Sequence, residues 1–272
     1  MKVYILTDYK NKQRLEFLKK RCLSNGFEIE LVTKIDNLDI EKNVIISTNV
    51  SLQFDIFKKY YSKNIYCLLD DKIKFYDYLK ENSDLLKGIK IIPTYDKSYS
   101  GPNITKKFLV KDKDGHSSRF NKIIHGSIND LINKYSHQHQ VQEVIDVKHI
   151  YGVSCSCAFG KILGIYTYKT NGPITPEYCF DHDKRGNFVD IPAVRKFLKK
   201  ICNRIKYNGI VEMEFIIDKN DEVYIMECNP RISGSIDSEC YFQWVIIPYL
   251  KCWHSHKTIE INMADKSLWK DE

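Results

Sequence analysis

Apolar and polar residues follow two different patterns along the chain. The first pattern, at the N-terminal end, predicts a small α/β unit. Short runs of strand-forming residues at Val3–Leu6, Glu28–Val32 and Val44–Ser47 alternate with helical patterns. Lys12–Asn25 is predicted to form a helix, because Gly26 then stands where a left-handed C-cap belongs. The alternation resembles half of a doubly wound sheet.

The second pattern follows a further amphipathic helix, which is predicted at Asp71–Leu86. From Lys107 onward, alternating strands are separated by turn residues, and two of them are joined at Gly160-Lys161. Strands paired in this way indicate antiparallel sheet. A helix predicted at Ile191–Ile205 then leads into a hairpin that is rich in carboxylates.

This acidic hairpin consists of two alternating strands around the predicted turn Asp218–Asp221. The period of two places Glu212 and Glu214 together on one face of the first strand, opposite its core residues. A symmetric turn then pairs Glu212 with Glu227 and leaves Glu214 diagonal to them. Carboxylates directly opposite one another on a sheet repel, so we expect a compensating cation at this point.

The return strand adds further oxygen donors. By the same period, one of its faces is predicted to carry Val223, Ile225, Glu227 and Asn229. Oxygen ligands from Glu and Asn suit a hard cation such as Mg²⁺, and Mg²⁺ in turn implies a phosphate at its remaining positions. The alternative interpretation is an edge hairpin with a solvated acidic face.

Two features just after the hairpin favour the metal site. Arg231 places a guanidinium within reach of a phosphate bridged by the metal. Ser233–Ser235 adds a small-residue loop whose backbone N–H groups could face an anion.

Composition and charge narrow the class of protein. The chain has 272 residues, of which 43% are hydrophobic, and no run approaches the length of a membrane helix. We therefore expect a folded cytoplasmic protein without a membrane partner. The net charge of +7 comes from basic residues interleaved with acidic ones, and no nucleic-acid-binding motif is present. The excess of positive charge suits a pocket for phosphates, and a nucleic-acid partner is not expected.

Nine cysteines, an odd number, are scattered along the chain and suit reduced thiols rather than a disulfide framework. Cys155 and Cys157 alternate on one strand, and Cys252, His254 and His256 follow near the C-terminus. Either group could bind zinc, but neither has the paired spacing of a structural site. Core thiols and a polar tail are the simpler interpretation.

The segment MECNPRISGS closely resembles the metal-binding strand and loop of the ATP-grasp superfamily, which includes carbamoyl-phosphate synthetase, D-alanine–D-alanine ligase and pyrrolysine-biosynthesis ligases. The resemblance extends to a carboxylate thirteen residues upstream, from Glu227 back to Glu214. It implies that Glu214, Glu227 and Asn229 hold two Mg²⁺ ions, with Mn²⁺ as a substitute, and that Glu212 supports them.

The resemblance also assigns positions to ATP. Lys72 and Lys111 would bind phosphates, a covering loop would follow Lys111, and the stretch VQEVI would be the hinge that grips adenine. A histidine stands where relatives carry an acidic ribose ligand. The positions assigned to ATP are Lys72, Lys111, Ser117, Gln142, Glu143, Val144, Ile145, His149, Lys169 and Met213.

The resemblance implies a mixed fold of helices and sheets, α/β (α+β). A short Rossmann-like lobe, residues 1–68, would precede a two-lobed ATP-grasp core with antiparallel sheets, residues 69–272. Within the core, residues 69–140 would include the small ATP-covering lobe. Residues 141–272 would hold the hinge, the metal-binding hairpin and the C-terminal lobe.

The implied activity is that of an ADP-forming carboxylate-amine ligase. It would phosphorylate a small-molecule carboxylate to an acyl phosphate and transfer the acyl group to an amine, with Arg231 and Lys111 as catalytic residues. A homodimer is compatible with this activity. The alternatives are a kinase of the same fold that releases a phosphorylated product, a catalytically silent nucleotide-binding protein, and a basic nucleic-acid binder.

Overall fold

The computed structural model describes residues 2–6, 12–32, 44–47, 63–112, 121–136, 139–170, 185–232 and 238–258. The strands are β1 (Lys2–Leu6), β2 (Glu28–Val32), β3 (Val44–Ser47), β4 (Lys90–Ile91), β5 (Thr94–Tyr95), β6 (Thr105–Asp112), β7 (Asn121–Ser127), β8 (His139–Glu143), β9 (Val147–Ala158), β10 (Lys161–Thr170), β11 (Arg185–Phe188), β12 (Gly209–Asp218) and β13 (Val223–Asn229).

The α-helices are α1 (Lys12–Ser24), α2 (Lys63–Asp70), α3 (Lys72–Glu81), α4 (Ile128–Tyr135), α5 (Pro192–Arg204), α6 (Glu239–Tyr241) and α7 (Ile247–Thr258). A 3₁₀ turn at Ser83–Leu86 follows α3, and a π-helical turn at Phe242–Ile246 joins α6 to α7. Among the described residues, no helix combines the length and the apolar character needed to span a bilayer.

The N-terminal lobe is a parallel sheet of order β2-β1-β3 that packs against α1. The predicted C-cap is confirmed: Gly26 has a φ of 82°, and the Phe27 N–H donates to the Cys22 carbonyl at 3.0 Å. The core of this lobe, including Val3 and Leu18, is continuous with that of the C-terminal helices.

A four-stranded antiparallel sheet of order β5-β8-β6-β7 forms a small lobe. On one face, Phe108 and Val110 pack with Leu131 of α4. On the other face, Leu109 joins an apolar cluster with residues of the large sheet. Because side chains alternate along a strand, Lys111 shares the face of Leu109 and also points toward the large sheet.

The large sheet has the order β11-β10-β9-β12-β13-β4 and two distinct faces. On the face that we call the helix face, Val211, Met213 and Phe215 pack with residues of α3 and α5. The opposite face, which we call the cleft face, carries Ile216, in contact with the small lobe, and Glu214 two residues before it. The cleft between the two sheets is where the acidic residues of the hairpin lie.

The β9–β10 connection differs by one residue from the prediction. Ala158 pairs with Lys161, so the turn is Phe159-Gly160 rather than Gly160-Lys161. Both turn residues have positive φ, 50° and 87°, as a two-residue hairpin of the primed type requires. Here Phe159 occupies a conformation that sequence reasoning would give to glycine or asparagine.

Candidate active site

The acidic hairpin is closed by a loop one residue longer than the predicted turn. The Asp218 N–H donates to the Glu222 carbonyl at 3.0 Å, so the loop comprises Lys219–Asp221. Asp221 has a φ of 63°, as the last residue of a three-residue hairpin loop does. The Asp218 carboxylate accepts the Glu222 N–H at 2.9 Å and thereby stabilises the longer loop.

A β-bulge in the return strand shifts the pairing by one further residue. Phe215 pairs with Ile225, but its neighbour Glu214 pairs with Glu227, so Met226 is an extra residue in β13. Directly opposite residues lie on the same face of a sheet. Glu227 therefore shares the cleft face with Glu214, whereas Ile225 lies in the core of the helix face.

Two predictions about this hairpin are wrong as a result. Glu212 lies opposite Asn229 rather than opposite Glu227. Val223 and Ile225 lie in the core of the helix face, so they do not share a face with Glu227 and Asn229. The longer loop and the bulge each shift the pairing by one residue, which explains the new partner of Glu212. The bulge explains the exchange of faces, since one extra residue reverses the alternation for everything that follows it.

Tyr76 of α3 holds the bulge in place. Its buried hydroxyl lies 2.7 Å from the carbonyl oxygen of Met226 and 3.1 Å from that of Ile225, and donates to them. A bulge disrupts the hydrogen-bond ladder locally, so these carbonyls need another donor in a dry core. Burial raises the pKa of the Tyr76 hydroxyl, which keeps it a donor.

Two lysines approach the carboxylate pair from different elements. Lys72 is the first residue of α3, where the Asp71 side chain caps the helix. The Lys72 ammonium lies 3.0 Å from a carboxylate oxygen of Glu227, and only 8% and 20% of the two side chains are exposed. Lys111 of the small lobe is 4% exposed and faces the same cleft.

The charges of this cluster are strongly coupled. Burial, aided by the Lys72 ammonium, lowers the pKa of Lys111 to about 8, although Glu227 and Glu214 oppose the shift. Burial, together with Glu227 and Glu212, raises the pKa of Glu214 well above its usual value. Burial alone would also raise the pKa of Glu227, but Lys72 and Lys111 outweigh it and the pKa is lowered.

Glu212 extends the acidic group along β12. It is 2% exposed, and its carboxylate accepts a hydrogen bond from the Tyr168 hydroxyl at 2.8 Å. The Ser154 hydroxyl donates to the same carboxylate oxygen at a longer distance, 3.5 Å. Sequence reasoning named neither Tyr168 nor Ser154. Only the order of the strands shows that both lie next to Glu212, since β9 pairs with both β10 and β12.

Gly152 provides the space for Tyr168. A Cβ at Gly152 would lie 2.4 Å from the ring of Tyr168, which is itself fully buried. We expect Gly152→Ala to push the ring away from Glu212 and to lower the free energy of unfolding by about 1–3 kcal/mol. Urea unfolding followed by circular dichroism measures the loss.

Gly126→Ala is the matched control, since its Cβ would meet Leu131 at an ordinary 3.5 Å. Equal stability of the two variants would contradict the proposed contact between Gly152 and Tyr168.

Asn229 and Arg231 continue the polar group beyond the carboxylates. The Asn229 amide donates to Glu227 at 3.0 Å, and Arg231 donates to the Asn229 side-chain oxygen at 3.4 Å. Arg231 also donates to the Ile232 carbonyl at 3.2 Å. The structure therefore brings together Glu214, Glu227, Asn229 and Arg231, as the sequence predicted. Ser233–Ser235 and Ser117 lie outside the described residues.

The predicted hinge connects the two lobes, running from the end of β8 into β9. Two of its polar side chains are held by the small lobe: Gln142 donates to Thr94 at 2.9 Å, and Glu143 accepts from Lys106 at 2.5 Å. The Glu143 N–H donates to the Pro93 carbonyl at 2.9 Å. Val144 and Ile145 are half-buried members of the cluster between the sheets.

Three of the residues assigned to ATP lie apart from the carboxylate group. Met213 is 1% exposed in the core of the helix face. Lys169 pairs with Tyr151 of the helix-face core, and its ammonium lies 3.3 Å from the His149 imidazole. Burial, with Lys169 and Lys148 nearby, lowers the pKa of His149.

The period of two explains these displacements, because adjacent residues of a strand lie on opposite faces. On β9 the position that faces the cleft is Ile150, beside His149, and it belongs to the apolar cluster between the sheets. On β12 the positions on the cleft face are Glu214 and Ile216, on either side of Phe215, and not Met213. The structure thus separates His149, Lys169 and Met213 from the carboxylates.

The clustered residues fit a hard divalent cation. Two carboxylates stand opposite one another in a buried site, and burial together with the neighbouring carboxylates raises the pKa of Glu214. Carboxylate and carboxamide oxygens are the donors that Mg²⁺ prefers. The described residues of the site that fit this role are Glu214, Glu227 and Asn229.

The chain is similar to a known protein family in sequence and to solved structures in fold. A family described as the ATP-grasp domain matches residues 69–235, more than half of the 272 residues. No curated protein sequence matches the chain significantly.

Three solved structures illustrate the likeness of fold. An N5-carboxyaminoimidazole synthetase from Staphylococcus aureus complexed with ADP has a TM-score of 0.57 at 14% identity, over 89% of this chain and 73% of that one. D-alanine–D-alanine ligase from Bacillus anthracis has a TM-score of 0.55 at 14% identity, over 96% and 100%. A RiPP-associated ATP-grasp ligase from Chryseobacterium gregarium, in complex with ADP and a leader and core peptide, has a TM-score of 0.52 at 11% identity, over 89% and 91%. At these identities the likeness shows the fold, and the family match over residues 69–235 goes further: this chain belongs to the ATP-grasp family.

Proposed function

We propose that the protein is an ATP- and Mg²⁺-dependent ligase that activates a carboxylate as an acyl phosphate and joins it to an amine, releasing ADP and phosphate. The observation that carries the proposal is the group on the cleft face, where Glu214 opposes Glu227 and two buried lysines, Lys72 and Lys111, face them. Solved structures with a similar fold include ligases, two of them with ADP bound.

The nucleotide would lie between the two sheets. The base would enter the apolar cluster, which includes Leu109, Ile216 and Met226, beside the hinge at residues 142–145. Its phosphates would then reach the ammonium groups of Lys72 and Lys111, which are compact charges suited to phosphate oxygens.

Glu214, Glu227 and Asn229 would hold the divalent cation in this arrangement. When bound, the cation neutralises charge on the phosphates and on the phosphoryl group in transfer. Its binding would also relieve the repulsion between the two facing carboxylates, which adds to burial in raising the pKa of Glu214.

The remaining residues position the reacting groups. Lys111 would orient the γ-phosphate for in-line attack by the substrate carboxylate, giving an acyl phosphate and ADP. Arg231 would stabilise the transferred phosphoryl group, and then the tetrahedral intermediate as the amine attacks and phosphate leaves. Positioning and electrostatic stabilisation account for the rate enhancement, so no covalent nucleophile of the enzyme is required.

We also propose that the chain is divided into two structural parts. Residues 1–68 would form the lobe that accompanies the ATP-grasp core, which would extend over residues 69–272. The continuity of the N-terminal core with the C-terminal helices supports a lobe that packs firmly rather than a tethered module.

The test traps the proposed intermediate. Incubation of the full chain with ATP, Mg²⁺, hydroxylamine and pooled small carboxylates should yield a hydroxamate and ADP, measured by the iron(III) colour reaction and by chromatography. Arg231→Met should lower the hydroxamate yield by about 10²-fold, because one charge-stabilising donor is lost. ADP formation with a stable phosphorylated product and no hydroxamate would indicate a kinase instead, and binding of ATP with no product in any pool would contradict both.

A further inference from the structure

A second cluster of chemically competent side chains lies on the helix face of the large sheet, away from the cleft. The Sγ atoms of Cys155, Cys157 and Cys202 all lie within 4.8 Å of one another. Cys155 and Cys157 are alternate residues of β9 with their sulfurs 3.8 Å apart, and Cys202 comes from the last turn of α5. All three thiols are buried and free.

The backbone holds α5 rigidly against the end of β9. At Gly160, in the β9–β10 turn, a Cβ would lie 2.9 Å from the Cys202 carbonyl oxygen and 2.9 Å from the Cα of Asn203, so only glycine allows this approach. The Gly160 N–H donates to the Tyr207 carbonyl at 2.7 Å, and the Tyr207 N–H donates to the Cys202 carbonyl at 2.9 Å. The three sulfurs are therefore brought together by a fixed framework.

The spacing of the sulfurs is that of a small metal–thiolate site. A metal–sulfur bond of about 2.3 Å places the ligands of a trigonal ion about 4.0 Å apart. The separation of 3.8 Å between Cys155 and Cys157 is close to this value, and Cys202 needs to approach by less than about 1 Å. Thiolates without oxygen or nitrogen ligands select soft ions such as Cu(I).

We propose that Cys155, Cys157 and Cys202 form a trigonal thiolate site that binds one soft d¹⁰ cation of the Cu(I) type. Zn²⁺ is the less suitable ion, because structural zinc takes four ligands and the cluster among the described residues has three.

The chemistry of the thiols agrees with this assignment. The thiolate, not the thiol, is the metal ligand. A thiolate in an apolar core is costly unless a cation compensates it, and a bound ion would supply that compensation.

The test is an anaerobic titration of the reduced full chain with Cu(I) against a chromophoric bicinchoninate competitor. Wild-type protein should retain one equivalent of Cu(I), and X-ray absorption should show three sulfur neighbours at about 2.3 Å. Cys202→Ser and Cys157→Ser should each weaken binding by about 10–100-fold. The absorption measurement needs no variant, so the proposal stays testable even if a substitution prevents folding.

Two matched controls separate the cluster from other thiols. Cys228→Ser removes a buried thiol of the same core that is outside the cluster, and Cys240→Ser removes an exposed one. Both should bind Cu(I) as the wild type does. The proposal fails if wild-type protein retains no ion, if either control loses binding as Cys202→Ser does, or if Zn²⁺ is held more tightly than Cu(I).

Discussion

Replacing Glu214 by glutamine should reduce ATP turnover by about 10²–10³-fold and at the same time stabilise the metal-free protein. The amide cannot supply the charged oxygen that the proposed cation site requires, so turnover falls. The same change removes a buried carboxyl group that faces Glu227 and whose pKa is raised by burial and by its acidic neighbours. Coupled ADP release and thermal unfolding measure the two effects.

The stability gain has a defined pH dependence. Folding raises the pKa of the Glu214 carboxyl group above its ordinary value of 4.5, which is the value expected in the unfolded chain. Above pH 4.5 the unfolded chain therefore releases this proton more readily than the folded protein does, and the group destabilises the folded state. The melting temperature of Glu214→Gln should therefore exceed that of the wild type at neutral pH, by about 2–4 °C for each kcal/mol gained. The difference should vanish as the pH falls below 4.5.

Glu222→Gln is the matched control, since it makes the same chemical change in the same hairpin, where Glu222 forms an exposed ion pair with Lys90. It should leave turnover within about twofold of the wild type. An active Glu214→Gln enzyme would contradict the assignment of the cation site. If Glu222→Gln were equally inactive, a disturbed hairpin rather than the lost charge of Glu214 would explain the loss of turnover.

Removal of the Lys111 ammonium should produce the other large effect. Lys111→Met should weaken ATP binding by about 10²-fold, because a desolvated cation facing the phosphates is lost. Lys107→Met changes an exposed lysine of the same strand and should leave the affinity unchanged. Isothermal titration calorimetry with Mg²⁺ present measures both.

The lowered pKa of Lys111 adds a pH signature. In the ligand-free protein its pKa is about 8, so below pH 8 the binding form, the ammonium, predominates. Above that value binding must take up a proton, and the affinity should fall by up to about tenfold per pH unit. At pH 8, titrations in buffers of different ionisation enthalpy should report uptake of about half a proton. Lys111→Arg should keep much of the affinity but lose the slope, and a slope that persists would assign the titration to another group.

Local sequence signals were enough for several elements of the fold. Gly26 ends α1 with a left-handed residue, as predicted, and the helix predicted at Ile191–Ile205 is observed as α5 with Pro192 at its start. These features depend on single residues and their immediate neighbours. The helix predicted at Asp71–Leu86 stops at Glu81 and continues as a 3₁₀ turn after Asn82.

The pairing of the acidic hairpin could not be read in the same way. The sequence indicated the carboxylates that the structure brings together, but a symmetric turn assigned the wrong partners. The extra residue at Met226 depends on the hydroxyl of Tyr76, which lies 150 positions away along the chain. A bulge that is stabilised from another element leaves no signal in the strand itself.

The faces of β9 and β10 could not be read from the sequence for a related reason. The resemblance assigns His149 and Lys169 to ATP, and the structure places both on the helix face. A displacement of one position in a strand reverses the face. Cys202 was missed because nothing in α5 indicates that its last turn touches β9. In each of these cases the missing information was tertiary: which strand or helix lies next to which.

The bulge at Met226 also means that the pairing of β13 matters as much as the identity of its residues. If the same residues paired without the bulge, Met226 would lie opposite Glu214, and two of the three groups proposed to bind the cation, Glu227 and Asn229, would turn into the hydrophobic interior. Such a protein would look intact in composition and motif while being unable to hold the proposed cation. A change elsewhere in the fold that removes the bulge would therefore inactivate the proposed enzyme without altering any residue of the site.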